Sequence, residues 1–142
     1  MVLSNSTVVE RNTSVPASGD LVLVVEDNEK NARLIVAMLV AAGYQTRWAA
    51  DGEQGLHMAT ELNPRLIITD LQMPNVDGLT MTRALKAQPE TASIPVLVVS
   101  AHALAEHRDH ALAAGCCKFL TKPFRYESLL AEVADVIKSR AE

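Results

Sequence analysis

At 142 residues the chain has room for one domain with a real core, in line with a prior of roughly 100 to 200 residues per domain. Its net charge of −4, with Lys and Arg scattered rather than gathered into a stripe, argues against a nucleic-acid surface. No apolar run is long enough to span a membrane, and the N-terminus lacks the basic and apolar regions of a signal peptide, so the expected compartment is the cytoplasm.

Residues 1–20 are Ser, Thr, Asn and Val without period and read as a disordered lead-in, although Val8-Val9 has the character to pack. Leu21 to Val25 is a continuous apolar run, hence a central strand, and it ends directly in Glu26 and Asp27. Asn28 then has the chemistry of an N-cap, with a helix over Glu29 to Ala42 closed by Gly43 in the left-handed position. On a helical wheel Ile35, Met38, Leu39 and Ala42 form its core face. Val36, Ala37 and Val40 lie opposite with Arg33, where an amphipathic helix should be polar, and so form a candidate partner patch; tolerated surface aliphatics are the plainer reading.

Tyr44 to Ala49 alternates weakly and suits an edge strand, with Trp48 read as packing rather than function. Asp51-Gly52 is a turn, and Glu53 to Leu62 carries Leu56, Ala59 and Leu62 at helical spacing. Arg65 to Thr69 is an apolar, partly β-branched strand that ends in Asp70; on this stretch alone a capping or turn Asp reads equally well. A loop dense in turn formers leads to a helix over Leu79 to Ala87, with Leu79, Thr82, Ala84 and Leu85 available to pack. A fourth strand runs from Ile94 to Val99 and ends in Ser100. Ala103 to Ala114 is helical and closed by Gly115; His102, His107 and His110 lack the carboxylate or Cys partners of a metal site and read as exposed polar residues. The adjacent Cys116 and Cys117 match neither a CxxC ligand pair nor a disulfide framework, and read as buried or half-buried fillers. Cys116 to Thr121 is the fifth strand, ending in Lys122-Pro123, and Arg125 to Ser139 is the last helix, with Leu129, Leu130, Val133, Val136 and Ile137 on its apolar face.

Five βα units with short connections imply right-handed crossovers and a parallel sheet covered by helices on both faces. Such a sheet delivers Glu26, Asp27, Asp70, Ser100 and Lys122 to one rim, outside the carboxyl ends of the strands. Uncompensated carboxylates there would repel, by roughly 4 kcal/mol for a pair at about 4 Å and an effective dielectric near 20. Mg²⁺ (or Mn²⁺) together with Lys122 brings the three acids to formal neutrality, and the pocket is then poised for a phosphoryl group.

On these residues the chain resembles the receiver domain of two-component response regulators, in particular the stand-alone type. The likeness rests on Val25-Glu26-Asp27-Asn28, on Asp70 with Met73-Pro74-Asn75-Val76-Asp77-Gly78, on Ser100-Ala101, and on Lys122-Pro123-Phe124; it covers Leu21 to about Ser139. It implies a receiver domain over 21–142 with a flavodoxin-like (βα)5 three-layer sandwich and strand order 2-1-3-4-5. It also implies that Asp70 takes a phosphoryl group from a histidine kinase or histidine phosphotransfer protein. Glu26, Asp27, the Asp70 carboxylate and the Gln72 backbone carbonyl would hold the metal, Ser100 and Lys122 would contact the phosphoryl group, and Phe119 matches the aromatic switch position. Because the last helix nearly reaches Glu142, the expected output is contact with a downstream protein; association with a second copy of the chain stays open.

Three other readings differ in mechanism. A Mg²⁺-dependent phosphatase with an Asp nucleophile usually carries a second acid two residues on, where this chain has Gln72. A receiver-like binding module would need none of the pocket residues, and a flavin-binding module would need a Ser-, Thr- and Gly-rich phosphate loop that is absent from the sequence.

Overall fold

A computed structural model describes residues 20–73, 75–101 and 105–141. Five strands, β1 (Leu21–Val25), β2 (Gln45–Ala49), β3 (Leu66–Thr69), β4 (Val96–Ser100) and β5 (Lys118–Thr121), alternate with five helices. These are α1 (Glu29–Ala41), α2 (Gly52–Leu62), α3 (Gly78–Ala87), α4 (Ala105–Ala114) and α5 (Tyr126–Ala141). The strands form one parallel sheet in the order β2-β1-β3-β4-β5, the order implied by the resemblance.

The unbroken apolar runs are explained by burial on both faces. Successive residues of a strand point to opposite sides, so β1 supplies Leu23 and Val25 to a core beneath α2, α3 and α4, and Val22 and Val24 to a second core beneath α1 and α5. β3 divides likewise, Ile67 to the first core, Leu66 and Ile68 to the second.

Helix starts follow the capping logic. Asn28, Asp51 and Asp77 each accept a hydrogen bond from the backbone N–H three residues on, at 3.0, 2.8 and 2.8 Å. Asp51-Gly52 is thus the opening of α2 rather than a separate turn. Gly43 and Gly115 take the left-handed φ expected after α1 and α4, 99° and 112°.

Several boundaries and faces differ from the sequence expectation. Strand β5 begins at Lys118 rather than Cys116, because the Gly115 and Cys116 N–H groups still bond back to α4 at Leu112 and Ala111. Strand β2 begins after Tyr44, whose N–H bonds to the Leu39 carbonyl. In α3 the buried stripe is Gly78, Met81, Thr82 and Leu85, so that Met81 joins the core and Leu79 packs on it half-buried, as Ala84 is also half-buried. Asp20, assigned to the lead-in, is part of the fold, since its carbonyl accepts the Gln45 N–H; the rest of that segment, with Val8-Val9, lies outside the described residues, as do His102 and Pro74. Cys116 is buried, but Cys117 is exposed and is not a core filler, because neighbouring residues on the approach to β5 face opposite sides.

Two close approaches fix the β3–α3 loop. A Cβ on Gly78 would lie 2.2 Å from the Asp70 carbonyl oxygen, and one on Gly52 would lie 2.2 Å from that of Val76. Gly78→Ala is therefore expected to destabilise the fold by about 1–3 kcal/mol, the usual range for overpacking, seen as a lower urea midpoint at unchanged slope.

Burial pushes the Cys116 thiol from its usual 9.0 up to about 11, against a weaker opposing effect of its contact with Thr82. The neutral thiol is the form the fold favours, so its contribution is complete below pH 9 and is lost as pH rises towards 11. Cys116→Ala should flatten the alkaline fall in stability by up to about 3 kcal/mol, at roughly 1.4 kcal/mol per pKa unit, measured as urea unfolding at pH 8 and pH 11.

Candidate functional site

The carboxyl edge of the sheet gathers the predicted residues because of register. Val25 stands opposite both Ala49 and Thr69, so Glu26 leaves β1 beside Asp70 as it leaves β3. Ser100 pairs with Thr121, which brings Lys122 to the same rim, its N–H donating to the Ser100 carbonyl at 2.7 Å. The Lys122-Pro123 peptide is cis.

Lys122 is the centre of the charge arrangement. Its Nζ lies 3.0 Å from Asp70 Oδ2 and 3.5 Å from Glu26 Oε1. Glu26 is only 2% exposed. Burial pushes its carboxyl above the usual carboxylate value, while the Asn28 N–H at 3.1 Å from Oε2 and the Lys122 charge pull the other way. For Lys122 burial favours the neutral amine, but the hydrogen bond and charge of Asp70, with those of Glu26, outweigh it and raise its pKa. The ammonium form is thereby secured.

The other oxygen of Asp70, Oδ1, accepts the N–H of Leu71 at 2.6 Å and that of Gln72 at 3.3 Å. Both carboxylate oxygens are thus directed, one into the loop and one towards the ammonium. The backbone carbonyl of Asp70 accepts Thr69 Oγ1–H at 2.8 Å and touches Gly78, which leaves the peptide little freedom.

Asp27 is exposed beside Glu26, Gln72 is exposed after Asp70, and Ser100 is fully buried at the end of β4. Phe119 is half-buried against the core beneath α2, α3 and α4, with the Arg108 guanidinium 5.3 Å from its ring centroid, a cation–π distance. Of the α1 patch, Ala37 and Val40 are exposed, but Val36 is half-buried and packs on the core under α1 and α5; the helix meets the sheet over a wider arc than the wheel assumed. Leu34, 56% exposed, is the larger apolar group that the wheel did not single out.

Among the described residues no three His, Cys, Asp or Glu side chains converge closely enough to hold a metal ion by themselves. The rim instead offers hard oxygen donors, an exposed carboxylate at Asp27, the Asp70 carboxylate and loop carbonyls, around a compensating ammonium. That donor set fits Mg²⁺, which is held through one or two carboxylates with waters and phosphate oxygens completing the octahedron. It does not fit a softer ion, which would call for Cys or His.

One contact falls outside the sequence reading. Trp48 is not mere packing: its Nε1–H donates to the Glu26 carbonyl at 2.7 Å, and the ring is 39% exposed. The signal for it lay in the register of β2 against β1, which no local pattern carries.

Comparison with known proteins places this geometry. Residues 22–134 match the model of the response regulator receiver domain. The polar-differentiation response regulator DivK of Brucella ovis is 38% identical over 102 residues, 72% of this chain and 83% of DivK. The DNA-binding dual master transcriptional regulator RpaA of Synechocystis is 35% identical over 117 residues, 82% of this chain; the chain spans about half of RpaA's length, with 48% covered. Among solved structures, the receiver domain of a sensor histidine kinase from Pseudomonas aeruginosa, with magnesium coordinated in its active-site cleft, superposes with a TM-score of 0.80 at 34% identity, covering 85% of this chain and 99% of that one. The strand-end chemistry and the matched sequence agree, and the chain belongs to the response regulator receiver domain family.

Proposed function

We propose that Asp70 is the phosphoacceptor of this receiver and that a histidine kinase or histidine phosphotransfer protein is its donor. The observation that carries the reading is the Asp70–Lys122 contact at 3.0 Å, backed by a buried Glu26, at the carboxyl edge of a parallel sheet. Glu26, Asp27, the Asp70 carboxylate and the Gln72 carbonyl would hold Mg²⁺, or Mn²⁺ in its place. When bound, the ion supplies charge neutralisation for the phosphoryl oxygens.

A carboxylate oxygen of Asp70 attacks phosphorus, and the P–N bond to the donor imidazole breaks with its electron pair returning to nitrogen. Lys122 stays protonated and pairs with the incoming phosphoryl oxygens, and the Ser100 hydroxyl donates another hydrogen bond to them. Asp70 thereby goes from a charge of −1 to about −2. Drawing Ser100 towards the phosphoryl group vacates space for Phe119, which must leave Arg108 to fill it. A full reversal of such a two-state element needs a difference of about 5.5 kcal/mol, within reach of several charge-assisted hydrogen bonds. With Gln72 where a hydrolase would carry an acid, the acyl phosphate persists as a signal.

The donor's docking surface is a groove of about 380 Å³ between α1 and the β5–α5 connection, lined by Asn31, Leu34, Ile35, Met38, Pro123 and Phe124, with Lys122 also on its wall. An apolar groove that opens beside the acceptor's own lysine suits a helix carrying the phosphohistidine.

Incubation with Mg²⁺ and acetyl phosphate should add one phosphoryl mass to the wild type and none to Asp70→Asn, read by intact mass spectrometry; no gain in a folded wild type would leave the binding-only module as the better reading. Leu34→Glu should slow transfer from the cognate donor by about tenfold or more, since it buries a charge at the interface. Labelling by acetyl phosphate should be unchanged, and equal loss of both would refute the docking surface.

A further inference from the structure

We infer that Trp48 is a positioning residue for the acidic loop, and that its indole N–H, rather than the bulk of its ring, sets how well that loop receives a divalent cation. The inference rests on the metal reading of Glu26 and Asp27 given above.

Strand β2 lies at the edge of the sheet, and its sequence, Gln-Thr-Arg-Trp-Ala, is exposed at Gln45, Arg47 and Trp48. An edge position that exposes 39% of a tryptophan gains little from apolar burial compared with an interior site. What this tryptophan does make is a short hydrogen bond, 2.7 Å from Nε1 to the Glu26 carbonyl. Trp48 stands opposite Val24, so the indole reaches along the strand, past Val25, to the peptide where β1 turns into the acidic loop.

Glu26 itself is tied at every polar group. The Glu26 N–H donates to the Ala49 carbonyl at 3.0 Å, its carbonyl accepts Trp48, one carboxylate oxygen accepts the Asn28 N–H at 3.1 Å, and the other faces Lys122 at 3.5 Å. The N–H and the carbonyl of Glu26 are both secured by consecutive residues of β2, so the edge strand acts as a two-point clamp on the loop. The carbonyl belongs to the peptide joining Glu26 to Asp27, and its orientation therefore sets the direction from which the Asp27 side chain departs. Without the indole donor this carbonyl loses the Trp48 hydrogen bond and the peptide is freer to rotate, which loosens the direction in which the Asp27 carboxylate is presented. A ring without an N–H fills the same space but cannot hold the peptide.

The test replaces Trp48 with 3-benzothienylalanine, which keeps the bicyclic shape and puts sulfur in place of the N–H, and uses Gln45→Ala as a control on the same strand. Free Mn²⁺ is counted by electron paramagnetic resonance during titration of the unphosphorylated full chain, with urea unfolding measured alongside. Expected is a Mn²⁺ dissociation constant about fivefold higher for the isostere, the size of one ordinary hydrogen bond, and unchanged for Gln45→Ala. Trp48→His, which retains a ring N–H, should recover part of the affinity. If the wild type binds Mn²⁺ and the isostere binds equally well while only its urea midpoint falls, Trp48 is structural and the inference is overturned. If the wild type itself binds no Mn²⁺, the metal reading fails and the inference falls with it.

Discussion

The constraint on which the site depends is the burial of one carboxylate. Glu26, 2% exposed, is held out of water by the strands on either side of β1, and a buried charge must be matched. Lys122 supplies the match, and the same ammonium serves Asp70. One cation thus joins the ends of β1, β3 and β5 across the rim, and removing it would leave two carboxylates facing each other with only backbone N–H groups to answer them. The arrangement is held in tension, with one positive charge for the two carboxylates around it.

The loop that carries Asp70 is governed by a second constraint, the absence of side chains where backbone meets backbone. Gly78 against the Asp70 carbonyl and Gly52 against the Val76 carbonyl let α3 and α2 close on the loop from two sides. The aspartate is thereby aimed by packing rather than by a side-chain partner alone, and its two oxygens face distinct environments.

Much of this was legible in sequence because the signals are local. Continuous apolar runs ending in a polar residue gave the strands and, with them, Glu26, Asp70, Ser100 and Lys122 at one edge. Asn28, Gly43 and Gly115 marked helix ends through capping chemistry. What escaped depends on neighbours distant in the chain. The Trp48 hydrogen bond follows from interstrand register, the burial of Met81 from the way α3 docks on the sheet, and the half-burial of Val36 from the breadth of the α1 contact. Cys117 escaped for a different reason: composition suggests what a residue prefers, and only the chain path decides which side of the sheet it reaches.

The two separate cores carry a consequence for insulation. Leu34 and Phe124 border the groove on the side of α1 and α5, whereas Phe119 and Arg108 sit on the side of α4. Between them runs a sheet whose central strands are packed with aliphatic side chains on both faces. The groove and the Arg108–Phe119 contact thus lie on opposite faces of a sheet filled with aliphatic side chains, and the Glu26–Lys122–Asp70 rim runs along its carboxyl edge. Substitutions around the groove therefore share no side-chain partners with Arg108 and Phe119, and their effects on stability add.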